Sequence, residues 1–472
     1  MIMDKHPVSK KLAFATADIF GGGSFNIVNF LYSYFLVVTV GISPFWAGFI
    51  MLFARAWDAV TDPVMGFISD RTRSRFGKRR IYLILAAPLV LISLYLLFFP
   101  YDFPVMGLKI TAALFSYLLF TTVQTMVMIP YYSLSSEISS DYQVRASYNS
   151  VRLGFSIFAS ILCVAVPGII VGMFDDPRIG YQVMSLSFGT LFGLSILVTG
   201  LFCREEIQTA PVESKMSFKV MAQPLSLKPF RQYLGMFLTL QMTMAIMSGL
   251  FFFYVNFYVD AATTASGQAS MVGMLGAAIM FSMQIVALPI YIKIIERKGK
   301  TFAYRLGSYL WIIMAVILFF IPRNADPVMI YAIAAIMGLG ISGPGLVPHA
   351  MYGDVVDAGQ LKFRSRLDGQ MSGFTNFINK IAQGIGLSAV MWIIGFAGFI
   401  ERQPGEPDVL VQPDSAMLAI RIIMSLAPLL LMSIGIFISH KYKIDARKQA
   451  EIKNIIASQQ LLSDAQMDEV LG

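Results

Sequence analysis

Two carboxylates four residues apart, Asp58 and Asp62, stand in an otherwise apolar stretch, WDAVTDPVMGFI (57–68). A spacing of four puts both on one face of a helix. Like charges that close do not both stay ionised on their own; they bind a cation, share a proton or pair with a base. Arg55, one turn away, is the candidate base, and an Arg55–Asp58 ion pair that merely joins helices is the structural alternative. Pro63 follows Asp62 directly, and its ring blocks the usual hydrogen bond to the Ala59 carbonyl. A freed carbonyl, two carboxylates and the Thr61 hydroxyl are hard oxygen donors suited to Na⁺ or H⁺.

Three more charges lie inside apolar runs: Asp18, Arg152 and Lys380. Ionisable groups at bilayer depth are costly and usually face a cavity or pathway. At 1.5 Å per residue, these three lie about 10–16 Å from one end of their segments, and Asp58 and Asp62 about 13–20 Å. A common mid-depth layer follows. Arg152 and Lys380 could hold an anionic group or substrate hydroxyls, or pair structurally with Asp18 or Asp58. Arg421, near a segment end, is expected to snorkel outward. The glycines GGG (21–23) and GLGISGPGLVP (338–348) allow close approach, bending or unwinding around a cavity. His349, with no evident partner, reads as structural.

The elements that must carry these charges are helices in a membrane. The chain has 472 residues, 56% hydrophobic and 14% charged, with mean hydropathy +0.67. Soluble domains carry about 25% charged residues. A spanning helix needs about 20 apolar residues, and twelve such segments are predicted: 12–39, 44–69, 81–99, 106–134, 143–172, 182–203, 230–258, 268–295, 302–322, 327–353, 369–399 and 415–440. Of the 36 Lys and Arg, 28 fall in the termini and alternate loops on one side, four on the other and four inside spans. The positive-inside rule therefore puts both termini in the cytoplasm and accounts for the net charge of +8 without nucleic acid.

The fold class predicted is all-α membrane protein, twelve helices in two six-helix bundles, 1–203 and 230–440. A polar cytoplasmic loop, 204–229, joins them, and a tail, 441–472, forms a surface helix. DRTRSRFGKRR (70–80) has a weaker counterpart, ERKGK (296–300), at the same place in the second half, as a duplicated six-span unit requires. Cys163 and Cys203 give no disulfide framework or thiol metal site. The first span, preceded by Lys5, Lys10 and Lys11 and carrying Asp18, reads as retained, not as a signal peptide. An enzyme is disfavoured: the sequence offers no paired nucleophile and base, no His cluster at metal spacing and no phosphate-cradling glycine loop.

The segment WDAVTDPVMGFISDRTRSRFGKRR (57–80) closely resembles the span-two signature of the glycoside-pentoside-hexuronide:cation symporters, the branch of the major facilitator superfamily that includes melibiose permease. MVMIPYYSLSSEI (126–138), GDVVDAGQLKFRSRLDG (353–369) and GFTNFINKIAQGIG (373–386) resemble its span four, the loop after span ten and span eleven, in order. The resemblance implies the major facilitator fold, a monomer in the cytoplasmic membrane, and a coupling-cation site at Asp58, Asp62, Thr61 and Thr125. It also implies a sugar site near Asp18, Arg152, Lys380, Tyr132 and Met128, and a latch through Gly66, Asp70, Arg71 and Arg73. No cofactor is implied beyond the coupling Na⁺ or H⁺, and the partners are a small solute and membrane lipids.

The sequence departs from the family at the sugar site. Met128 replaces a sugar-binding aspartate, Tyr132 a tryptophan, and Gly345 falls where an aromatic is expected. A pyranoside needs carboxylates for its hydroxyls and a ring to stack on. The cationic pair is kept, which tilts the solute from a neutral galactoside towards an acidic sugar, glycoside or uronide. A lysolipid or other amphipathic solute is the rival within transport. A non-transporting sensor or scaffold is the rival outside it, and solute-independent signalling would be its mark.

Overall fold

In the computed structural model the described residues are 7–139, 142–203, 205, 222–259, 271–323, 325–365, 367–402, 411–458, 466, 467 and 470; most of the central loop 204–229 and the end of the tail lie outside them. Every long element is a helix. The first segment is α1 (Val8–Ala15) and α2 (Asp18–Ile27), continued by π-helical turns at Val28–Tyr32 and Phe35–Thr39. There follow α3 (Pro44–Arg71), α4 (Arg80–Leu97), α5 (Met106–Glu137), α6 (Tyr142–Gly172) and α7 (Pro177–Phe202). After the central loop come α8 (Lys228–Tyr254), α9 (Met271–Lys298), α10 (Lys300–Phe320), α11 (Pro327–Phe363), α12 (Asp368–Phe396), α13 (Asp414–Lys441) and the tail helix α14 (Ala446–Ala457).

Local chemistry sets several starts. Pro44, Pro177 and Pro327 open their helices, where a missing N–H costs nothing. Asp176, Asp326 and Asp445 accept from Arg178 N, Val328 N and Lys448 N at 2.8–2.9 Å, each satisfying a donor that the helix leaves orphaned. Gly299, at φ +87°, makes the turn between α9 and α10, a backbone region that side chains disfavour.

Ten helices among the described residues, α4 through α13, are long and apolar enough to cross a membrane. They match the expected segments from the third onward to within about ten residues at every end. The first two expected spans fall outside that count for physical reasons: residues 8–39 are broken into short pieces, and α3 carries Arg55, Asp58 and Asp62 along its middle.

Packing groups the chain into two units. One comprises 1–213, 248–278 and 387–420, the other 214–247, 279–386 and 421–472. The first has an aromatic core in which Phe98 stacks flat on Tyr181 at 5.8 Å and Tyr32 meets Tyr117 at 4.7 Å. Within this unit Ser33 Oγ donates to Gly249 O (3.0 Å), Ser388 Oγ to Gly48 O (2.7 Å) and Trp392 Nε1 to Phe45 O (3.1 Å). These bonds tie α3 and the first segment to residues far along the chain.

The second unit packs α11 closely against α9 and α10 through the glycines expected to bend it. A Cβ at Gly338 would stand 2.2 Å from Met280 O, one at Gly340 2.9 Å from Trp311 N, and one at Gly343 2.5 Å from the Tyr291 ring. Small residues let helix backbones approach where lipid supplies no hydrophobic drive between them. Here they do so without unwinding, and α11 runs unbroken through Pro344 and Pro348.

Candidate functional site

The two carboxylates on α3 meet α5 at a single hydroxyl. Thr125 Oγ1 is 2.9 Å from Asp58 Oδ1 and 2.9 Å from Asp62 Oδ1. Asp58 is 3% exposed and Thr125 4%, while Asp62 is half-buried. One hydroxyl has one proton, so it donates to one carboxylate at a time and offers lone pairs besides. Thr61 Oγ1 turns back to its own helix and donates to Asp58 O at 3.2 Å, which leaves its lone pairs available. Helix α3 continues through Pro63 to Arg71. This all-oxygen donor set fits a small hard cation or a proton.

Arg55, the candidate base, is held by the first segment. It is 6% exposed, donates from Nη2 to Asn29 Oδ1 at 2.6 Å, and lies over the Phe25 ring at 5.4 Å. Sequence reasoning missed Asn29; its amide in an otherwise apolar run was the available signal.

Asp18 owes its position to a helix break. The chain turns at Thr16–Ala17, between α1 and α2, so Asp18 opens α2, where the helix dipole favours a negative charge. A break inside a membrane must have its backbone groups satisfied again. The hydroxyls of Thr16 and Thr199 do this: Ala17 N donates to Thr199 Oγ1 (3.1 Å), Thr199 Oγ1 to Ala13 O (2.7 Å) and Thr16 Oγ1 to Ala13 O (2.9 Å).

The Asp18 carboxylate receives a hydrogen bond from Ser156 and feels the charge of Arg152, both on α6. The Arg152 guanidinium lies 5.3 Å from the centre of the Tyr132 ring, which is 49% exposed. Arg152 Nε is buried with no hydrogen-bond partner among the described residues. Met128 packs against Gly21, where a Cβ would come within 2.6 Å of both Met128 Cε and Asp18 Oδ1. The next two glycines do the packing: a Cβ at Gly22 would meet Ser156 O at 2.7 Å, and one at Gly23 Cys163 Sγ at 2.6 Å. Gly22 and Gly23 thus seat α2 on α6, and the break lies before them.

Asp18, Met128, Tyr132 and Arg152 are therefore neighbours in the first unit, as are Asp58, Asp62 and Thr125. Lys380 lies on α12 in the second unit, on the same helix as Gln383, which donates to Asn379 Oδ1 at 3.1 Å. Arg421 reaches the end of α10: Nη2 donates to Phe319 O, and the guanidinium lies over the Phe319 ring at 4.8 Å. His349 stands edge-on to Phe237 at 6.3 Å.

Of the residues expected to latch, Gly66, Asp70 and Arg71 lie in the last turns of α3 and Arg73 in the loop that follows. Asp70, in the last turn of α3, pairs with Arg79 of that loop, and Arg79 also reaches Glu137 at 3.2 Å and Ser69. Lys78 reaches Glu137 at 2.9 Å. Glu137 and Glu205, which hold this loop, were not singled out from the sequence, although Glu137 lies within a quoted motif. Arg71 lies over Phe67 at 3.4 Å, Arg73 is exposed, and a Cβ at Gly66 would meet Ile129 at 3.8 Å.

A family model for MFS/sugar transport proteins matches residues 13–446. The chain belongs to the MFS/sugar transport protein family. The resemblance carried by 57–80 is borne out, and with it the all-helical fold. This MFS/sugar transport protein is 25% identical over 493 residues to the sodium-dependent lysophosphatidylcholine symporter 1-B of Danio rerio, covering 96% of this chain and 90% of that one. It is 27% identical over 463 residues to a putative glycoside/cation symporter, YagG, of Escherichia coli, covering 96% of both. Among solved structures, a mutant of the nucleoside transporter NupG aligns with a TM-score of 0.63 at 13% identity, over 91% of this chain and 98% of that one, a likeness of fold.

Proposed function

We propose that this membrane protein is a cation-coupled symporter whose solute carries an acidic group: an acidic sugar, glycoside or uronide. The observation that carries the coupling is the convergence of Asp58, Asp62 and Thr125 within 2.9 Å on one small-ion site. Relatives named as sodium-dependent and as cation symporters support it. Na⁺ or H⁺ bound there reduces the repulsion between the carboxylates and so favours one arrangement of α3 and α5. Solute and cation then raise each other's affinity by the same factor. Two six-span bundles, 1–203 and 230–440, joined by 204–229 and with both termini cytoplasmic, rock about this depth in alternating access.

The acidic-solute reading rests on Arg152. Its Nε seeks an acceptor, and its plane is set by Tyr132, whose exposed ring also offers a surface for a sugar. Asp18, held by Ser156, faces the hydroxyls of such a solute. A lysolipid is the second reading. Relatives named lysophosphatidylcholine symporters favour it, as do the exposed apolar side chains Leu12 and Phe25 on the Asp18 segment and the methionine in place of a polar group at 128.

The test is thermal stability of the purified protein with a glucuronide, a neutral galactoside and lysophosphatidylcholine, each with Na⁺ or choline and at two pH values, because a ligand of the native state stabilises by mass action. A shift with the glucuronide, enlarged by Na⁺ or low pH and lost in Arg152→Gln, is expected. A shift with lysophosphatidylcholine alone would replace the saccharide by a lipid. With the solute in hand, Asp58→Cys is expected to lose gradient-driven accumulation; full accumulation would overturn the cation site.

A further inference from the structure

The segment from the last residue of α3 to the first of α4, 71–80, holds six bases: Arg71, Arg73, Arg75, Lys78, Arg79 and Arg80. The fold uses three internally. Lys78 and Arg79 go to Glu137 and Asp70. Arg80 donates to Gly200 O (2.8 Å) and Leu201 O (2.6 Å) at the end of α7, where a cation suits the helix dipole. The other three, Arg71, Arg73 and Arg75, are exposed and meet no carboxylate among the described residues.

These three are presented from a rigid base. The Glu205 carboxylate accepts from the backbone N–H groups of Lys78 (3.0 Å), Arg79 (2.6 Å) and Arg80 (3.2 Å). Gly77, at φ +103°, makes the turn that lets it in, and a Cβ there would stand 2.7 Å from the carboxylate. Ser74 closes the turn through Gly77 N (3.1 Å) and Phe76 N (3.2 Å). The Thr72 hydroxyl ties the start of the loop to Tyr82 at 2.6 Å.

Their position is that of a lipid headgroup. An exposed apolar stripe runs the length of α3, through Phe49, Phe53, Trp57, Val60, Val64 and Phe67, at the three- and four-residue steps of one helix face. It ends at Arg71, whose guanidinium lies on Phe67 at 3.4 Å, and beyond it Arg75 lies over the exposed ring of Phe76 at 4.8 Å. An apolar face that ends in aromatic-backed arginines meets acyl chains along its length and the headgroup layer at its end. Guanidinium forks match phosphate oxygens.

We infer that Arg71, Arg73 and Arg75 form a docking surface for the phosphate of an anionic phospholipid of the leaflet they face, which the charge distribution assigns to the cytoplasm. The experiment adds phosphatidylglycerol or phosphatidylcholine to the purified full-length protein and reads the melting temperature. The wild type should be stabilised by phosphatidylglycerol over phosphatidylcholine. That difference should shrink when salt is raised from about 0.1 M to about 1 M, where the Debye length falls from about 10 to about 3 Å. Inorganic phosphate should give no shift.

The triple variant Arg71→Gln/Arg73→Gln/Arg75→Gln should lose at least half of the difference. Lys293→Gln/Arg297→Gln/Lys298→Gln, which removes the same charge from exposed residues at the end of α9, should keep it. The single Arg73→Gln, at an exposed loop position, should lose a smaller part and serves if the triple variant folds poorly. An undiminished difference in both the triple and Arg73→Gln would overturn the inference, as would an equal loss in the α9 variant. Altered transport with the lipid response intact would make the loop a latch instead.

Discussion

Two charge knots occupy equivalent places in the two halves of the chain, and they are built differently. At the start of α4, Lys78 and Arg79 meet Glu137 from the end of α5, with Asp70 added from α3 and Glu205 capping the backbone. At the start of α10, Lys300 meets Asp354 near the end of α11. Each ties the beginning of a third span to the end of a fourth, as a duplicated unit would. The second has one ion pair, but the tail helix α14 packs on α11, bringing Lys453 and Tyr442 into the electrostatic surroundings of Asp354. The first knot is closed by Glu205, just beyond α7, the second by the tail.

The comparison breaks most sharply at Glu137. Glu137→Gln removes the buried carboxylate shared by Lys78 and Arg79 and leaves the buried guanidinium only the exposed Asp70, a loss approaching the about 3–5 kcal/mol of a broken buried pair; a large fall in melting temperature is expected, and a fall no larger than that of Asp354→Asn would equate the knots. Asp354→Asn should cost less, about 1.5–3 kcal/mol for a hydrogen bond between charged groups, because Lys300 is partly exposed and can turn to water. Removing residues 443–472 should lower the melting temperature further in the wild type than in Asp354→Asn, if the tail acts through that carboxylate; equal losses would show that it packs independently. Glu205→Gln keeps an acceptor but loses a charge at a helix start, worth about 0.3–1 kcal/mol, and should give a small shift that salt reduces.

Beside the first knot, Cys203 supplies the smallest effect. Burial raises its thiol pKa to about 12, against the lowering influence of Arg80 and Lys10. The folded value lies above the unfolded one, so this contribution to stability is complete below the usual thiol range and is lost as pH rises through it towards 12. Maleimide labelling of the folded protein should be slow at pH 7–8. Rapid stoichiometric labelling would place the thiol in water.

Much of this was legible in the sequence because it is local. Helices α4 to α13 announce themselves by runs of apolar residues, and the spacing of Asp58 and Asp62 fixes their shared face before any tertiary contact is known. Thr125 was reached through the resemblance, not through spacing, since 63 residues separate it from Asp62. What was not legible depends on distant partners. The break at Thr16–Ala17 has no glycine or proline to mark it; Thr199, from α7, satisfies its backbone. The glycines at 21–23 and 338–343 read equally well as hinges or as contact surfaces, and only Ser156, Met280 and Tyr291 across the interface decide for contact. Arg55 is held by Asn29, on the first segment.

Asp58, Asp62 and Thr125 are proposed to bind the coupling cation. The most direct test is the melting temperature of the purified wild type and of Asp62→Asn, chosen because Asp62 is only half-buried, measured against NaCl with choline chloride holding ionic strength constant, and against pH. The wild type should gain stability with Na⁺, or on proton binding as pH falls, and Asp62→Asn should lose that response while remaining folded. An equal response in the two proteins would contradict the account.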